Sequence, residues 1–560
     1  MNSKSTFREK ATRGFLWNYL YKLTEIGLLN LYTILVVRHF GPEISAPYAV
    51  FMALGTMLTL ISAFSVDGVL LRYVQRISGN DYTLEGDFSN VENLGLKKFF
   101  TTLFAFRILT VTVVSLIIFT LLFCLPILIP SLETSFGSIR EFTPLLIAYL
   151  YAQAIIAFCT FSLIGLLETK RIFFSSLISR GLLLVVGLYL VFQASLSLWY
   201  AVGLYVGSSV INALLLLYVF TGEVTKHSGR KSSRRYPFSS ILREMRHLLT
   251  GKGKMKFFLG TPIMLYGITT WGSDVLSTVL GKQPDILMMR ALLGEYSSEI
   301  GYYLSASILL LMTEYIFLFG LGGTLVSIFS KLAHDDEKDQ KGDDKSYPRL
   351  ARARKEIAGF QNIVLLPLCA FMMFFAPEVI RSIYGDKYDA AIPLLRIGLI
   401  ALALSVGIFA GGMQITSLVA IGKERVVFRN RLIWGVINII ANFFLIRTYG
   451  ALGAIIGTQF TNAFACGTEA YLARSLIGNS ISLFRKFLVM FLAGVSGAAG
   501  YYIVILLLPH VLPITKVCVG GLIVCGVTFL SYYFLHLEEL ESMKRLLRDQ
   551  FTKKRISGAS

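Results

Sequence analysis

Ionisable side chains stand inside long apolar runs at a few places in this 560-residue chain. Such a group is costly in hydrocarbon unless it pairs, meets water or binds something. Lys22 and Glu25 lie one helical turn apart and share a helix face with Asn18. Counted from Gly14, where their run begins, they stand about 12 to 17 Å deep at 1.5 Å per residue. An ammonium there can hold an anion, with the carboxylate as its resting partner or as a coupling group. The plainer alternative is an ion pair that fixes helix packing. Asp274 and Glu314 fall near the centres of two later runs, where a carboxylate needs a proton or a cationic partner. They are candidates for proton or sodium coupling, with a structural pair across a cavity as the alternative. Asp67 and Arg72 close the second run, and Arg72 could equally reach back to the interface.

Arg107, Arg180 and Arg396 each sit within two turns of an expected span end, which favours snorkelling over ligand contact, although Arg107 stays among the binding candidates. Trp17, Tyr19, Tyr21, Tyr266, Trp271 and Tyr315 could stack on sugar rings, yet helix packing and interface anchoring use the same residues. Gly260, Pro262, Gly267 and Gly272 interrupt the seventh run and read as a hinge.

The elements that must position these groups are membrane helices. The chain is 55% hydrophobic and 16% charged, with mean hydropathy +0.65, so its solvent is a bilayer. Apolar runs near 14–37, 46–72, 101–125, 142–167, 172–193, 198–220, 257–290, 300–329, 357–376, 390–421, 426–446, 450–473, 484–508 and 513–535 predict about 14 spans in an all-α polytopic protein. The first run carries Asn18, Lys22 and Glu25 and no small-residue cleavage site, so it is expected to be a retained span. Six cysteines lie in or beside apolar runs without metal spacing, and no metal or cofactor is expected.

The formal charge of +19 sits in short segments between spans, which speaks for membrane orientation and against nucleic acid. Basic segments alternate along the chain and place both termini in the cytoplasm. The expected divisions are 1–221 for a first lobe, 222–256 for a basic linker with an amphipathic helix, and 257–475 for a second lobe. Two more spans would occupy 476–535, followed by an amphipathic tail at 536–560. The charge run from Asp335 to Lys355 reads as a solvated loop.

An internal echo links the halves. Leu35, Val36, Val37 and Arg38, then Gly41, Glu43 and Tyr48, resemble Leu287, Met288, Met289 and Arg290, then Gly294, Glu295 and Tyr302. Both copies point the same way, which implies a parallel repeat. Arg38 and Arg290 then read as corner anchors.

Several segments resemble the Wzx-like saccharide-lipid flippases of the multidrug, oligosaccharidyl-lipid and polysaccharide (MOP) exporter superfamily. They are Gly14-Phe15-Leu16-Trp17-Asn18-Tyr19, Arg38-His39-Phe40-Gly41-Pro42-Glu43 and Asp67-Gly68-Val69-Leu70-Leu71-Arg72. In the second half Gly385-Asp386-Lys387-Tyr388, Ala390-Ala391-Ile392-Pro393-Leu394-Leu395-Arg396 and Tyr449-Gly450-Ala451-Leu452-Gly453-Ala454 are similar to the same family. The resemblance implies two six-helix lobes in a V plus two C-terminal helices, and rocking between inward-open and outward-open states. It also implies a polyprenyl- or dolichyl-diphosphate-linked saccharide as cargo, at a plasma membrane, alongside other polysaccharide-assembly proteins. Lys22 would then be a diphosphate ligand, and Arg72 could meet an incoming phosphate with two parallel hydrogen bonds.

The closest rival is a cation-coupled drug antiporter of the same superfamily, which needs an acidic cavity. An integral-membrane glycosyltransferase or polymerase would normally show a large outer loop, and no expected outer loop exceeds about 20 residues. No GxxxxGK followed by Ser or Thr occurs, which excludes a P-loop ATPase.

Overall fold

In hydrocarbon every backbone polar group must be satisfied internally, so runs of Leu, Ile, Val and Phe of this length become helices. The computed structural model bears this out: it describes residues 3–64, 66–77, 96–124, 133–166, 168–193, 195–227, 262–318, 321–339, 347–478 and 483–534. Within these it gives the backbone alone over 3–16, 71–73, 75–77, 96–98, 124, 133–138, 225–227, 262–266, 315–318, 321–324, 326–327, 483 and 534. No strand occurs among the described residues. Most of the expected linker and the whole expected tail lie outside them.

Two compact units divide the chain, Met1–Phe40 with Ile44–Tyr296, and Gly41–Glu43 with Ser297–Ser560. The first contains α1 (Ser3–Ile44), α2 (Ala46–Ala63), α3 (Val66–Ile77), α4 (Leu96–Phe119), α5 (Glu133–Gly165), α6 (Thr169–Phe192), α7 (Leu198–His227), α8 (Pro262–Val279) and α9 (Lys282–Leu293). Helix α5 packs most extensively on α7, and also on α2, α3 and α4, while α8 packs on α2 and α3. Burial of apolar surface gains little where the solvent is lipid, so close packing carries the contact. Phe100, Phe104, Phe158 and Phe220 form a ring cluster with centroids 4.8 to 5.5 Å apart along Phe104–Phe158, Phe100–Phe220 and Phe158–Phe220. On α6, Gly187 admits the Tyr32 ring, which a Cβ would meet at 2.6 Å. Tyr32 then donates its hydroxyl to Ala201 O at 2.8 Å, tying α1 to α7.

The second unit contains α10 (Ser298–Leu318), α11 (Leu321–Asp339), α12 (Pro348–Phe374), α13 (Ala376–Tyr384), α14 (Ala391–Leu402), α15 (Gly411–Ala420), α16 (Glu424–Ile477), α17 (Leu483–Leu507) and α18 (Pro513–Phe534). Helix α12 packs on α17, α10 on α14, and α17 on α18. Between α14 and α15 the chain passes through a π-helical segment, Ala403–Ile408, and turns at Ala410, whose φ is 53°. The carbonyls freed by this break are met by side chains. Gln361 donates to Val406 O at 3.1 Å, Gln414 to Phe409 O at 3.0 Å, and Lys486, only 3% exposed, to Ile408 O at 2.5 Å.

Eleven helical segments among the described residues are long and apolar enough to cross a membrane, which makes the chain a multi-pass membrane protein. The expected count of 14 does not appear as 14 separate long helices. Spans eleven and twelve form the single run α16, kinked at Gly450, where Glu299 accepts a hydrogen bond from Ala451 N at 2.9 Å. Spans seven and eight each fall into two helices, α8 with α9 and α10 with α11.

Two glycines of the echo share a backbone conformation that Gly385 and Gly478 adopt as well. Gly41 has φ 80° and ψ 176°, and Gly294, its partner in the echo, has φ 99° and ψ 165°. Both occupy a backbone region essentially closed to side-chain-bearing residues. The expected solvated loop after Asp335 is instead helical up to Asp339, because Asp336 is buried and accepts hydrogen bonds from Arg349 N and Leu350 N, both at 3.1 Å. It caps the start of α12 from another helix. Residues 340–346 lie outside the description.

Candidate functional site

The first cluster is built on α1, whose helical spacing aligns Asn18, Tyr21, Lys22 and Glu25. Glu25 forms its ion pair with Arg180 of α6, Nη2 to Oε1 3.8 Å, and Lys22 takes no part in it. Lys22 is half-buried, with its Nζ 5.1 Å from the centroid of the Tyr21 ring. Arg180 is 1% exposed and donates to Ser208 Oγ at 2.7 Å and Ser209 Oγ at 3.2 Å. Around it stand buried tyrosines: the Tyr149 and Tyr205 hydroxyls are 3.3 Å apart, and Tyr48 packs edge-on to Tyr205. Asn18 Oδ1 is buried without a hydrogen-bond partner among the described residues. The cluster is a charged core wrapped in phenols, with one ammonium left on its margin.

Arg180 was expected to snorkel. It stands instead in the middle of α6, where hydrocarbon offers no polar exit, and its charge is met by Glu25. Arg107 departs in the same way: it is 0% exposed on α4, with its Nη2 3.6 Å from Asp67 Oδ2. Asp67 therefore pairs with Arg107. Arg72 belongs to α3, but its side chain is outside the described residues. Arg396 is exposed on α14 and donates to Met373 O at 3.2 Å.

Asp274 is exposed on α8. Its neighbour one turn earlier, Trp271, donates to Leu60 O at 2.9 Å and packs on Phe64 at 5.0 Å, so this tryptophan serves helix packing. Trp17 does likewise against Phe173 of α6 at 5.3 Å. The side chains of Tyr266 and Tyr315 are outside the description. Of the hinge residues, Gly267 and Gly272 lie within continuous helix α8, Pro262 opens it, and Gly260 is outside the described residues. The backbone interruption in this span falls between α8 and α9, at Leu280 and Gly281.

In the second unit Glu314 is half-buried on α10 and makes no ion pair among the described residues. It lies within electrostatic reach of Cys369 and Cys466. Next to Cys466 is a pair that sequence reasoning missed. Arg431 clasps the fully buried Glu469 with two bonds, Nε to Oε1 2.6 Å and Nη2 to Oε2 2.8 Å, across the two arms of α16. Asn430 and Asn462 extend the network. The available signal was a glutamate inside the twelfth apolar run, which needs a cation on a facing helix. Arg354 is a second omission: 1% exposed, it donates to Gly478 O at 2.6 Å and closes the end of α16.

No protein-family model matches the chain, and no curated protein matches it. Solved structures do. The inward-closed lipid II flippase MurJ is similar over 93% of this chain and 100% of its own, with TM-score 0.56 and 15% identity. An inward-facing MATE multidrug transporter of the MOP superfamily is similar over 80% of this chain and 94% of its own, with TM-score 0.55 and 17% identity. A MOP transporter from Pyrococcus furiosus covers 83% of this chain and 95% of its own, with TM-score 0.55 and 15% identity. The paired polar cores are thus carried on the fold shared by transporters of the MOP superfamily.

Proposed function

We propose that the protein moves a lipid-diphosphate-linked oligosaccharide from the inner to the outer leaflet by alternating access. One observation carries the reading: Arg180 takes up the charge of Glu25, and Lys22 stays half-buried on α1 with no carboxylate partner among the described residues. A cation so placed suits a diphosphate, because charge-assisted bonds replace the water lost by the anion. The fold likeness to a lipid II flippase supports the class of cargo.

The work is one of solvation, and no covalent bond need be made or broken, so the protein is read as a carrier and not as an enzyme. Two negative charges moving outward gain roughly 4.6 kcal/mol per 100 mV of inside-negative potential, at about 2.3 per charge. Asp274 and Glu314 are the carboxylates through which a proton or sodium ion would reset the carrier. In this reading the protein works in the plasma membrane with both termini cytoplasmic, and its cargo is polyprenyl- or dolichyl-linked, for polysaccharide or glycan assembly with other proteins of that process.

A second reading, cation-coupled drug antiport, draws on the MATE folds and on the exposed Asp274 carboxylate. Reconstitution decides between them. Vesicles holding the protein should move a fluorescent lipid-diphosphate saccharide between leaflets, and Lys22→Ala should slow this about tenfold or more while leaving the melting temperature unchanged. Export of a cationic dye with no saccharide-lipid movement would select the antiporter.

A further inference from the structure

Two opposite charges stand close together and unpaired at one end of the second unit. Arg396 of α14 donates its Nε to Met373 O at 3.2 Å, and its Nη1 and Nη2 have no partner among the described residues. Glu378, in the first turn of α13, makes no ion pair among the described residues, and its Oε2 is buried without a hydrogen-bond partner. An unmatched carboxylate oxygen of this kind marks a place whose bonding something else completes.

Direct contacts bring the two charges to one corner. The carbonyl that Arg396 holds lies in the last turn of α12, five residues before Glu378. Between them Phe375 packs edge-on to Tyr501 of α17, centroid to centroid 5.2 Å, and lies so close to Gly520 of α18 that a Cβ there would meet its ring at 2.2 Å. The start of α13 is thus set among α12, α14, α17 and α18, which also pack on one another. Tyr501 is within electrostatic reach of both Glu378 and Arg396, and Tyr502 beside it is exposed.

The corner sits where hydrocarbon meets water. Arg396 is exposed about 8 Å along α14 at roughly 1.5 Å per residue, in a spanning segment that begins at Ala391. A guanidinium at that depth reaches headgroup level, where tyrosines also collect. We propose that Arg396 and Glu378 bind the headgroup of a membrane phospholipid that joins a phosphate to a primary ammonium, as phosphatidylethanolamine does.

The pairing follows from the donors and acceptors on each side. The two free edges of the guanidinium donate to phosphate oxygens, and the Glu378 carboxylate accepts from the ammonium N–H groups. A purely anionic headgroup satisfies the arginine and is repelled by the glutamate. A choline headgroup carries the positive charge and no N–H to donate. Arg381, one turn beyond Glu378, does not compete, because Asp389 holds it at 2.9 and 2.8 Å and Asp386 stands 3.9 Å away. Lys387 is the remaining cation of this corner and is exposed.

Native mass spectrometry of the whole chain in detergent, titrated with dioleoyl phospholipids, tests the assignment. The ethanolamine lipid should bind about tenfold or more tighter than the choline lipid, the worth of a hydrogen bond to a charged group. Affinity should fall stepwise through the mono- and dimethylated ethanolamine lipids as donors are removed. Glu378→Gln should erase the preference for ethanolamine over choline, and Arg396→Gln should weaken binding of both. Equal binding of the two lipids by the unaltered protein, or a preference that Glu378→Gln leaves in place, would overturn the proposal. So would tighter binding of phosphatidylglycerol than of the ethanolamine lipid, which would make Arg396 the whole of the site. The methylation series needs no variant, so it decides the matter if Glu378→Gln does not fold. Neither Lys22 nor any transport step enters the measurement, and this site and the proposed function can fail separately.

Discussion

Glu25 and Arg180 bind each other across α1 and α6 at 3.8 Å, and Lys22, one turn from Glu25, is left out of the pair. Two cations on neighbouring helices therefore have different duties. Arg180 is committed to the pair with Glu25, and Lys22 is the cation proposed to meet cargo.

Removal of either partner alone should leave a buried charge uncompensated. Arg180→Leu is expected to cost about 3 to 5 kcal/mol of stability. The double variant Glu25→Gln with Arg180→Leu should cost clearly less than the sum of the two single changes. Thermal denaturation in detergent through a double-mutant cycle measures this. Lys22→Ala should leave the melting temperature in place while lowering flipping about tenfold or more, the worth of one charge-assisted bond.

Arg431 and Glu469 should behave as the stronger pair, because two short bonds join them and Asn430 adds a third contact. Glu469→Ala is expected to destabilise the second unit by about 3 to 5 kcal/mol. Hydrogen exchange along the two arms of α16 would show the loss locally. Protection unchanged from the wild type would refute it.

Gly41 and Gly294 share a conformation that a Cβ strains. Gly41→Ala and Gly294→Ala should each cost about 1 to 3 kcal/mol, and by similar amounts if the two corners are equivalent. Comparison of the two melting temperatures tests the internal repeat without reference to any ligand.

Asp336→Ala should lower stability by about 1 kcal/mol, the worth of a helix cap. Asp336→Asn should recover most of it, since an amide oxygen can accept the same N–H bonds. A loop merely rich in charge would respond to neither.

Acid should weaken one exposed contact. Arg381 binds Asp389 with two bonds at 2.9 and 2.8 Å, and these hydrogen bonds hold the Asp389 carboxyl below its ordinary value. A lowered folded value means that the pair stabilises above the unfolded value and that this gain disappears as pH falls through the folded one. Asp389→Asn should then cost roughly 0.2 to 1 kcal/mol at neutral pH, screened by salt, and nothing in strong acid. A difference between the two proteins that persists in acid would contradict the sign.

The helical class was legible because apolar length alone decides it, and glycine stands at Gly41 and Gly294 because the backbone there demands it. The break between α14 and α15 was not. Its stretch from Leu399 to Phe409 contains only one polar side chain, Ser405, and the groups that satisfy its carbonyls, Gln361, Gln414 and Lys486, come from α12, α15 and α17. The burial of Arg107 and Arg180 is hidden in the sequence for a related reason. A charge near an expected span end reads as snorkelling until its partner is known, and Asp67 and Glu25 sit on other helices. Depth alone singles out Glu314, and the same argument applies to Glu469, whose cation Arg431 stands on the facing arm of α16.

Lys486 has a consequence for modular engineering. Helices α17 and α18 invite treatment as a detachable appendage, yet the ammonium at the base of α17 plugs a hole in the backbone of a helix far back along the chain. Trimming or swapping that terminal hairpin would leave the Ile408 carbonyl bare in oil. Chimaeras that exchange it should therefore carry a long cationic side chain at the same register.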